Sequence, residues 1–341
     1  MKLYCWEGYN QKKYLKNFKY KISPNSFISD FQIAKEIRKK TIRCNILNIN
    51  NAYIRDYLWK YGLIEELNYS NYEGLYDDYL KYFRYLSKWT KSIDKKKLIG
   101  IGQRFGSFNF VINTKAVSRI KAELNGYNLI KELKRNYGIL LFEDFNIMHI
   151  ALAAGVNPFK KLNSLNINEF TNTCKNWLQN ASIISDNFIL LNKELNAKNI
   201  SLYLSGGTYT CSIARKEGFK NILAITPKNK INNVKQGIIF TEITSILKNK
   251  NIKQSEKFIQ YILKPEKCYE IAMSKLTCNP VLQMGNKKIF SKFTINDLNI
   301  IQWNDISNIK KYSHEYQIVP DYKKLLSIFR KELNKNKKKI I

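Results

Sequence analysis

Few residues in this chain are spaced to do covalent chemistry. The sequence holds no GxSxG nucleophile elbow, no HExxH zinc helix and no P-loop. The run Gly100-Ile101-Gly102-Gln103-Arg104-Phe105-Gly106 comes near a dinucleotide loop but has one residue too many before its last glycine, and it reads as a plain turn. Only two histidines are present. His149 lies among Ile147, Met148 and Ile150 and reads as a satisfied core or boundary residue. His314, in Tyr312-Ser313-His314-Glu315-Tyr316, reads as polar surface. The six cysteines (Cys5, Cys44, Cys174, Cys211, Cys268 and Cys278) form no CxxC pair, so the common zinc spacings are absent. Cys174/Cys211 and Cys268/Cys278 stay open as disulfides or as free buried thiols. Glu143, Asp144 and Glu242 are suited to acid–base work, but no nucleophile or metal set accompanies them. The expectation is a protein that is not an enzyme, with no catalytic residue, metal or cofactor.

The residue types favour binding instead. Trp6-Glu7-Gly8-Tyr9 follows an apolar segment that reads as the first strand. Ligands of open α/β sheets bind at the carboxyl ends of the strands. An ammonium group is held by a desolvated carboxylate and by aromatic faces, about 0.5–2 kcal/mol for each cation–π contact. Trp6, Tyr9, Tyr53, Phe105 and Phe240 are candidate faces, and Asp144 and Glu242 candidate charges. The turn Ser205-Gly206-Gly207-Thr208 precedes a helix and offers backbone N–H groups, which suit an anion. A solute with an amine at one end and a carboxylate or phosphonate at the other would use both features.

Alternating short apolar runs and amphipathic stretches position these residues, which is an α/β pattern. Strands are expected at Leu3–Trp6, Cys44–Ile49, Leu98–Ile101, Phe108–Asn113, Gly138–Phe142, Ser201–Leu204, Ile222–Thr226 and Gly237–Thr241, with a glycine turn from Gly102 to Gly106. Helices are expected at Phe27–Lys39, at Asn51–Tyr61 with Asn51 as its cap, and at Phe145–Ala154 with Gly155 closing it. More follow at Ile167–Ala181, Thr210–Lys216, Ser255–Leu263, Pro265–Lys275 and Asp321–Asn334. Tyr72–Ser92 is strongly amphipathic and aromatic-rich. Asp144 carries two readings, a ligand carboxylate or the N-cap of the helix that follows.

The chain has 341 residues, 44% hydrophobic and 13% aromatic. That excludes intrinsic disorder, and the length suggests about two domains. No apolar run approaches the ~18–20 residues of a membrane span, and no signal peptide is visible. Lys plus Arg number 58 and Asp plus Glu 27, a formal charge of +31. Such a balance raises a nucleic-acid reading. The excess is mostly Lys, spread along a chain rich in Asn, Ile and Tyr, so it reads as a solvated lysine surface. The basic tail from Arg330 to Lys339 reads as a helix end fraying into solvent. Steep loss of oligonucleotide binding with salt would instead favour a basic nucleic-acid-binding protein.

The order of motifs resembles the polyamine-binding proteins of ABC importers, the spermidine/putrescine receptors of the type II periplasmic-binding fold. Trp6 and Tyr9 match the family's Trp-x-x-Tyr after its first strand. Leu47-Asn48-Ile49-Asn50-Asn51-Ala52-Tyr53 through Tyr61-Gly62-Leu63-Ile64 matches its second block, which places Asn51 and Tyr53 toward the ligand. Phe105-Gly106-Ser107 matches an aromatic-glycine turn. Leu140-Leu141-Phe142-Glu143-Asp144 followed by Ala151-Leu152-Ala153-Ala154-Gly155 puts Asp144 on the ligand aspartate, while Ile147 stands where a second acid is usual. Ser205-Gly206-Gly207 stands in place of the family's tryptophan, before Ala214-Arg215-Lys216-Glu217-Gly218. Phe240 and Glu242 match an aromatic followed two residues on by an acid. Phe258 to Pro265 and Asn279-Pro280-Val281 complete the series, with Thr277 where a tyrosine is usual.

The resemblance covers roughly Leu3 to Leu333 and implies a two-lobed α/β fold with the ligand cleft between lobes and two crossing strands as hinge. It implies an extracytoplasmic, monomeric receptor that captures a polyamine and delivers it to a membrane permease, without nucleic acid as partner. A zwitterionic amine such as an amino acid, opine or aminophosphonate is the alternative. The expected N-terminal lobe is 1–111 with 240–286, and the expected C-terminal lobe with tail is 112–239 with 287–341. The expected ligand set is Trp6, Tyr9, Asn51, Tyr53, Phe105, Asp144, Ser205, Thr208, Phe240, Glu242 and Thr277.

Overall fold

A computed structural model of the chain describes residues 1–15, 17–72, 83, 85–133, 135–248 and 251–341. In chain order its strands are β1 (Lys2–Cys5), β2 (Ser23–Ser26), β3 (Ile46–Asn50), β4 (Ile101–Asn113), β5 (Tyr137–Leu140) and β6 (Ile183–Ser185). There follow β7 (Leu202–Gly207), β8 (Ile222–Ile225), β9 (Lys230–Ile231), β10 (Val234–Lys235), β11 (Gly237–Ile246) and β12 (Ser313–Glu315). The helices that matter here are α1 (Asp30–Arg38), α2 (Glu143–Ala153), α3 (Ser164–Asn180) and α4 (Phe188–Asn196). Further along come α5 (Thr208–Lys216), α6 (Ile252–Ile262), α7 (Pro265–Ala272) and α8 (Tyr322–Lys335). Two compact units result, one of Met1–Phe105 with Phe240–Trp303, the other of Gly106–Ile239 with Asn304–Ile341. β4 and β11 each contribute residues to both units.

In the first unit β1 lies between β2 and β3, parallel to both, with Leu3 opposite Pro24 and Ile46. β11 runs antiparallel to β3, from Glu242 opposite Asn50 to Ile246 opposite Ile46. Leu3, Cys5 and Ile46 bury their side chains with Phe258 and Ile262 of α6 and Ile271 of α7. Ser29 caps α1 by accepting the Gln32 N–H at 3.2 Å, and Ile33, Ala34 and Ile37 form its buried face. Pro265 starts α7, where the missing N–H costs no helical bond.

In the second unit β4 runs antiparallel to β7 and β8, and β7, β5 and β6 are parallel. Gly237–Ile239 of β11 pairs in parallel with β12. Val111, Leu140, Leu191, Leu195, Tyr203 and Ile222 share one core. Every residue of α2 from Asp144 to Leu152 is buried. A helix enclosed on all sides has no polar face, so it shows little amphipathic periodicity. α3 and α8 pack against it.

The fold class is the expected α/β, and several elements differ from their sequence reading. Leu98–Ile101 and Phe108–Asn113 are not two strands about a glycine turn: one strand runs from Ile101 to Asn113, buried throughout. Gly102 sits mid-strand because its missing Cβ admits Leu282 Cδ1, which would lie 2.6 Å from it. Asn51 does not cap a regular helix. Its side-chain oxygen accepts the Thr241 N–H at 3.2 Å, and the segment Tyr53–Leu58 is wound as a π-turn that ends in a tighter turn at Trp59–Tyr61. The helix bearing Asp144 begins at Glu143 with Phe142 at its cap position, so Asp144 is in the first turn and is not the cap. The tail does not fray: Ile341 N–H donates to Ile184 O at 3.0 Å and Ser185 Oγ donates to Ile341 O at 2.8 Å. His314 lies half-buried in β12 rather than on open surface. All six cysteines are buried free thiols. Most of the amphipathic stretch Tyr72–Ser92 lies outside the described residues.

Gly102→Ala should cost roughly 1–3 kcal/mol by overpacking Leu282. Urea unfolding checks it: a turn glycine with open space around it would lose far less.

Candidate functional site

Several buried groups of the first unit converge on one cation. Arg104 comes from β4 and is fully buried. Its guanidinium has five N–H donors, no acceptor and no accessible neutral form. Nε donates to Glu242 Oε2 at 2.9 Å and Nη2 to Glu242 Oε1 at 3.0 Å, a bidentate pair with a carboxylate from β11. Nη2 also donates to Glu7 O at 2.6 Å, and Nη1 to Thr277 Oγ1 at 3.1 Å. The Tyr9 ring stacks beneath it, 4.6 Å from ring centre to guanidinium carbon. The Tyr9 hydroxyl accepts the Arg104 main-chain N–H at 3.3 Å. Burial first, and then the nearby Glu242 carboxylate, hold the Tyr9 phenol well above its usual range. Burial likewise pushes the Cys5 thiol up to about 12. Gly8 is required here twice over. Its φ is +103°, and a Cβ would lie 2.6 Å from Arg104 Nη1.

Of the expected ligand set, Tyr9, Glu242 and Thr277 therefore meet around Arg104. Phe105 follows it in β4, buried at 4.6 Å centroid distance from Phe83. Asn51 holds the main chain of Thr241, beside buried Phe240. Tyr53 is buried in the π-turn with its ring 6.2 Å from Tyr57. Trp6 follows β1, packs on Phe27 at 4.9 Å, and donates its indole N–H to Asp30 Oδ1 at 3.0 Å.

In the second unit Asp144, Ser205 and Thr208 lie on neighbouring elements. Ser205 is the extra residue of a β-bulge: Asn109 pairs with Gly206 and Phe110 with Leu204, so Ser205 has no partner in the ladder. Its φ is +59°, in the left-handed region that non-glycine residues rarely occupy. A bulge re-aims a side chain, and here Ser205 Oγ is turned to α2. Asn146 Nδ2 donates to it at 2.8 Å, and His149 Nδ1 lies 2.9 Å away. His149 Nε2 lies 2.6 Å from Phe108 O, which only accepts. Nε2 therefore carries the ring proton and Nδ1 accepts from the serine hydroxyl. Full burial drives the His149 pKa down to about 3, against the weaker opposing effect of the Phe108 carbonyl. The expected reading of His149 as a satisfied core residue holds. Thr208 opens α5 and is buried. Asp144 is 7% exposed and accepts from the Tyr322 hydroxyl of α8. Beside it Glu143 forms a two-bond pair with Arg330 at 2.6 and 2.7 Å.

The sequence reading missed Arg104, Asp30, Asn146 and Tyr322. The one signal for Arg104 is a charged residue inside a segment otherwise fit for a buried strand. Among the described residues no group of three or more His, Cys, Asp or Glu side chains is placed to hold a metal ion.

Two outcomes follow from this geometry. Arg104→Met leaves Glu242 buried without its partner and should cost roughly 3–5 kcal/mol, whereas Arg104→Met with Glu242→Leu should cost clearly less than the two single changes added together. Denaturant titration of the three variants reads this, and simple additivity would dissolve the pair. His149 is neutral in the folded chain while the unfolded ring takes a proton below about pH 6.5. The unfolded state then binds more protons, so this contribution is complete above pH 6.5 and is lost as pH falls toward 3. Between pH 7 and 5 the parent should lose about 2 kcal/mol more than His149→Gln, which has no ring to titrate.

No family model and no curated protein sequence matches the chain. Solved structures do. A spermidine/putrescine ABC transporter substrate-binding protein from Streptococcus pneumoniae is 14% identical, with 98% of this chain and 99% of that one covered at a TM-score of 0.65. The PotD lipoprotein of Treponema pallidum is 12% identical, with 98% of each chain covered at 0.70. The binding protein AgtB of A. tumefaciens R10, solved with agropinic acid, is 12% identical, with 97% and 98% covered at 0.64. Among the described residues no helix is long and apolar enough to cross a membrane. From end to end, the chain has the fold of the two-domain periplasmic binding proteins.

Proposed function

We propose that the protein is the extracytoplasmic solute receptor of an ABC importer, that its solute is a small amine, and that Asp144 is the partner of one ammonium group. The receptor part rests on a fold shared over nearly the whole length with a substrate-binding protein named for spermidine/putrescine and a binding protein solved with agropinic acid. The observation that carries the choice of solute is the Arg104–Glu242 pair. Of the two candidate carboxylates, Glu242 spends both oxygens on a guanidinium of the chain itself. A polyamine with several cations needs several carboxylates. One remaining carboxylate suits a solute with one ammonium, such as an amino acid, an opine or an aminophosphonate. Asp144 fits the role because it is nearly buried, lies in the first turn of α2 where the helix dipole favours an anion, and is oriented by the Tyr322 hydroxyl. A polyamine is the second reading, supported by the Streptococcus pneumoniae neighbour named for spermidine/putrescine.

Thermal-shift measurements against putrescine, spermidine, 4-aminobutyrate, opines and aminophosphonates test the class. A bound solute at a hundredfold excess over Kd adds about 2.7 kcal/mol. Asp144→Asn should then remove roughly 3–5 kcal/mol of affinity for whichever amine binds, a hundredfold or more, with little loss of stability. A spermidine shift larger than all others would move the assignment to polyamines. Affinity within a few-fold of the parent in Asp144→Asn would retire the clamp.

A further inference from the structure

The first unit also contains a buried carboxylate that joins two strand ends. Asp30 opens α1 and is fully buried. Its Oδ1 accepts the Trp6 indole N–H at 3.0 Å and its Oδ2 accepts the Asn50 Nδ2 at 2.7 Å. Trp6 and Asn50 stand at the carboxyl ends of β1 and β3, which are neighbouring parallel strands. Those ends are where open α/β sheets take their ligands. The Asn50 amide turns its nitrogen to Asp30, where a carboxylate oxygen accepts. That leaves Asn50 Oδ1 as the other end of the group. It is buried, on a residue 3% exposed, and has no hydrogen-bond partner among the described residues. A buried acceptor without a donor is destabilising until a donor reaches it.

We infer that Asp30 is a positioning residue which locks the Trp6 indole and the Asn50 amide together, and that Asn50 Oδ1 accepts an N–H of the bound solute. The inference rests on the receptor reading above and adds a neutral acceptor and an aromatic face to the charge supplied by Asp144. It also explains why a carboxylate, and no neutral acceptor, stands at residue 30. Two donors from separate strands need two oxygens held in one plane, and Asn at this position would present a donor to one of them.

The test begins with no solute. The chain has five tryptophans, and the indole N–H signal missing from Trp6→Phe identifies Trp6 in a nitrogen–proton correlation spectrum. Asp30→Asn should move that signal upfield and speed its exchange with solvent, while thermal unfolding shows the variant folded. An unmoved signal overturns the positioning role. Calorimetry with 4-aminobutyrate and with putrescine then reads the contact. Asn50→Ala and Asp30→Asn should each weaken the bound probe tenfold or more, and the double variant should be no weaker than the worse single one. Full additivity, or parent-like affinity in Asn50→Ala, overturns the contact. Trp6→Phe leaves Asp30 in place and should reproduce the loss of affinity should Asp30→Asn prove too unstable to titrate. A parent chain that binds neither probe counts against the receptor reading for these solutes, and the indole signal still decides the role of Asp30.

Discussion

A guanidinium with five N–H donors enters a protein interior only where each donor finds an acceptor. Arg104 meets that condition inside the first unit, its fifth N–H donating to Thr277 O at 3.5 Å, and much of the unit's local structure follows from it. Glu242 brings β11 to the cation, Thr277 brings the segment after α7, and the carbonyl of Glu7 brings the turn after β1. Gly8 must be glycine for that turn to lie against the guanidinium, and Tyr9 closes the lower face with its ring. The desolvation penalty of such a pair is several kcal/mol per ion, so its value lies less in net stability than in the single arrangement it enforces. Removing either partner would leave a charge buried with nothing opposite.

The second unit solves a similar problem with neutral groups. A bulge turns Ser205 out of its ladder and into α2, where one hydroxyl both accepts from Asn146 and donates to His149. The ring then donates to the carbonyl of Phe108 in β4. Strand β7, helix α2 and strand β4 are thereby tied through three polar side chains, each buried and each dependent on the others. The strain of a left-handed serine is offset by these bonds. Such a network holds the first turn of α2, and so Asp144, against the glycine turn that opens α5.

The charge of +31 bears on none of this directly. The cations that organise the interior are few, and Arg104 is completely enclosed while most lysines face solvent. At physiological salt the field of an exposed lysine fades over about 8 Å. A buried carboxylate such as Asp30 or Asp144 therefore feels its immediate hydrogen-bond donors far more than the net charge.

The sequence by itself determined the α/β alternation, the helix opened by Pro265, and the enclosed character of His149. Each of these depends on residues within a few positions of one another, where spacing and side-chain type suffice. It also carried the order of motifs from Trp6 to Val281, and with it the fold. The tertiary structure alone decided that Gly102 lies mid-strand, because the reason is a leucine at position 282. It alone showed that Glu242 answers to Arg104, 138 residues away, and that Asp30 joins Trp6 to Asn50. A carboxylate next to an aromatic in the sequence looks equally ready for a ligand whether or not the chain supplies its own cation. The distinction lies in hydrogen bonds between distant segments, and those exist only once the strands have been brought side by side.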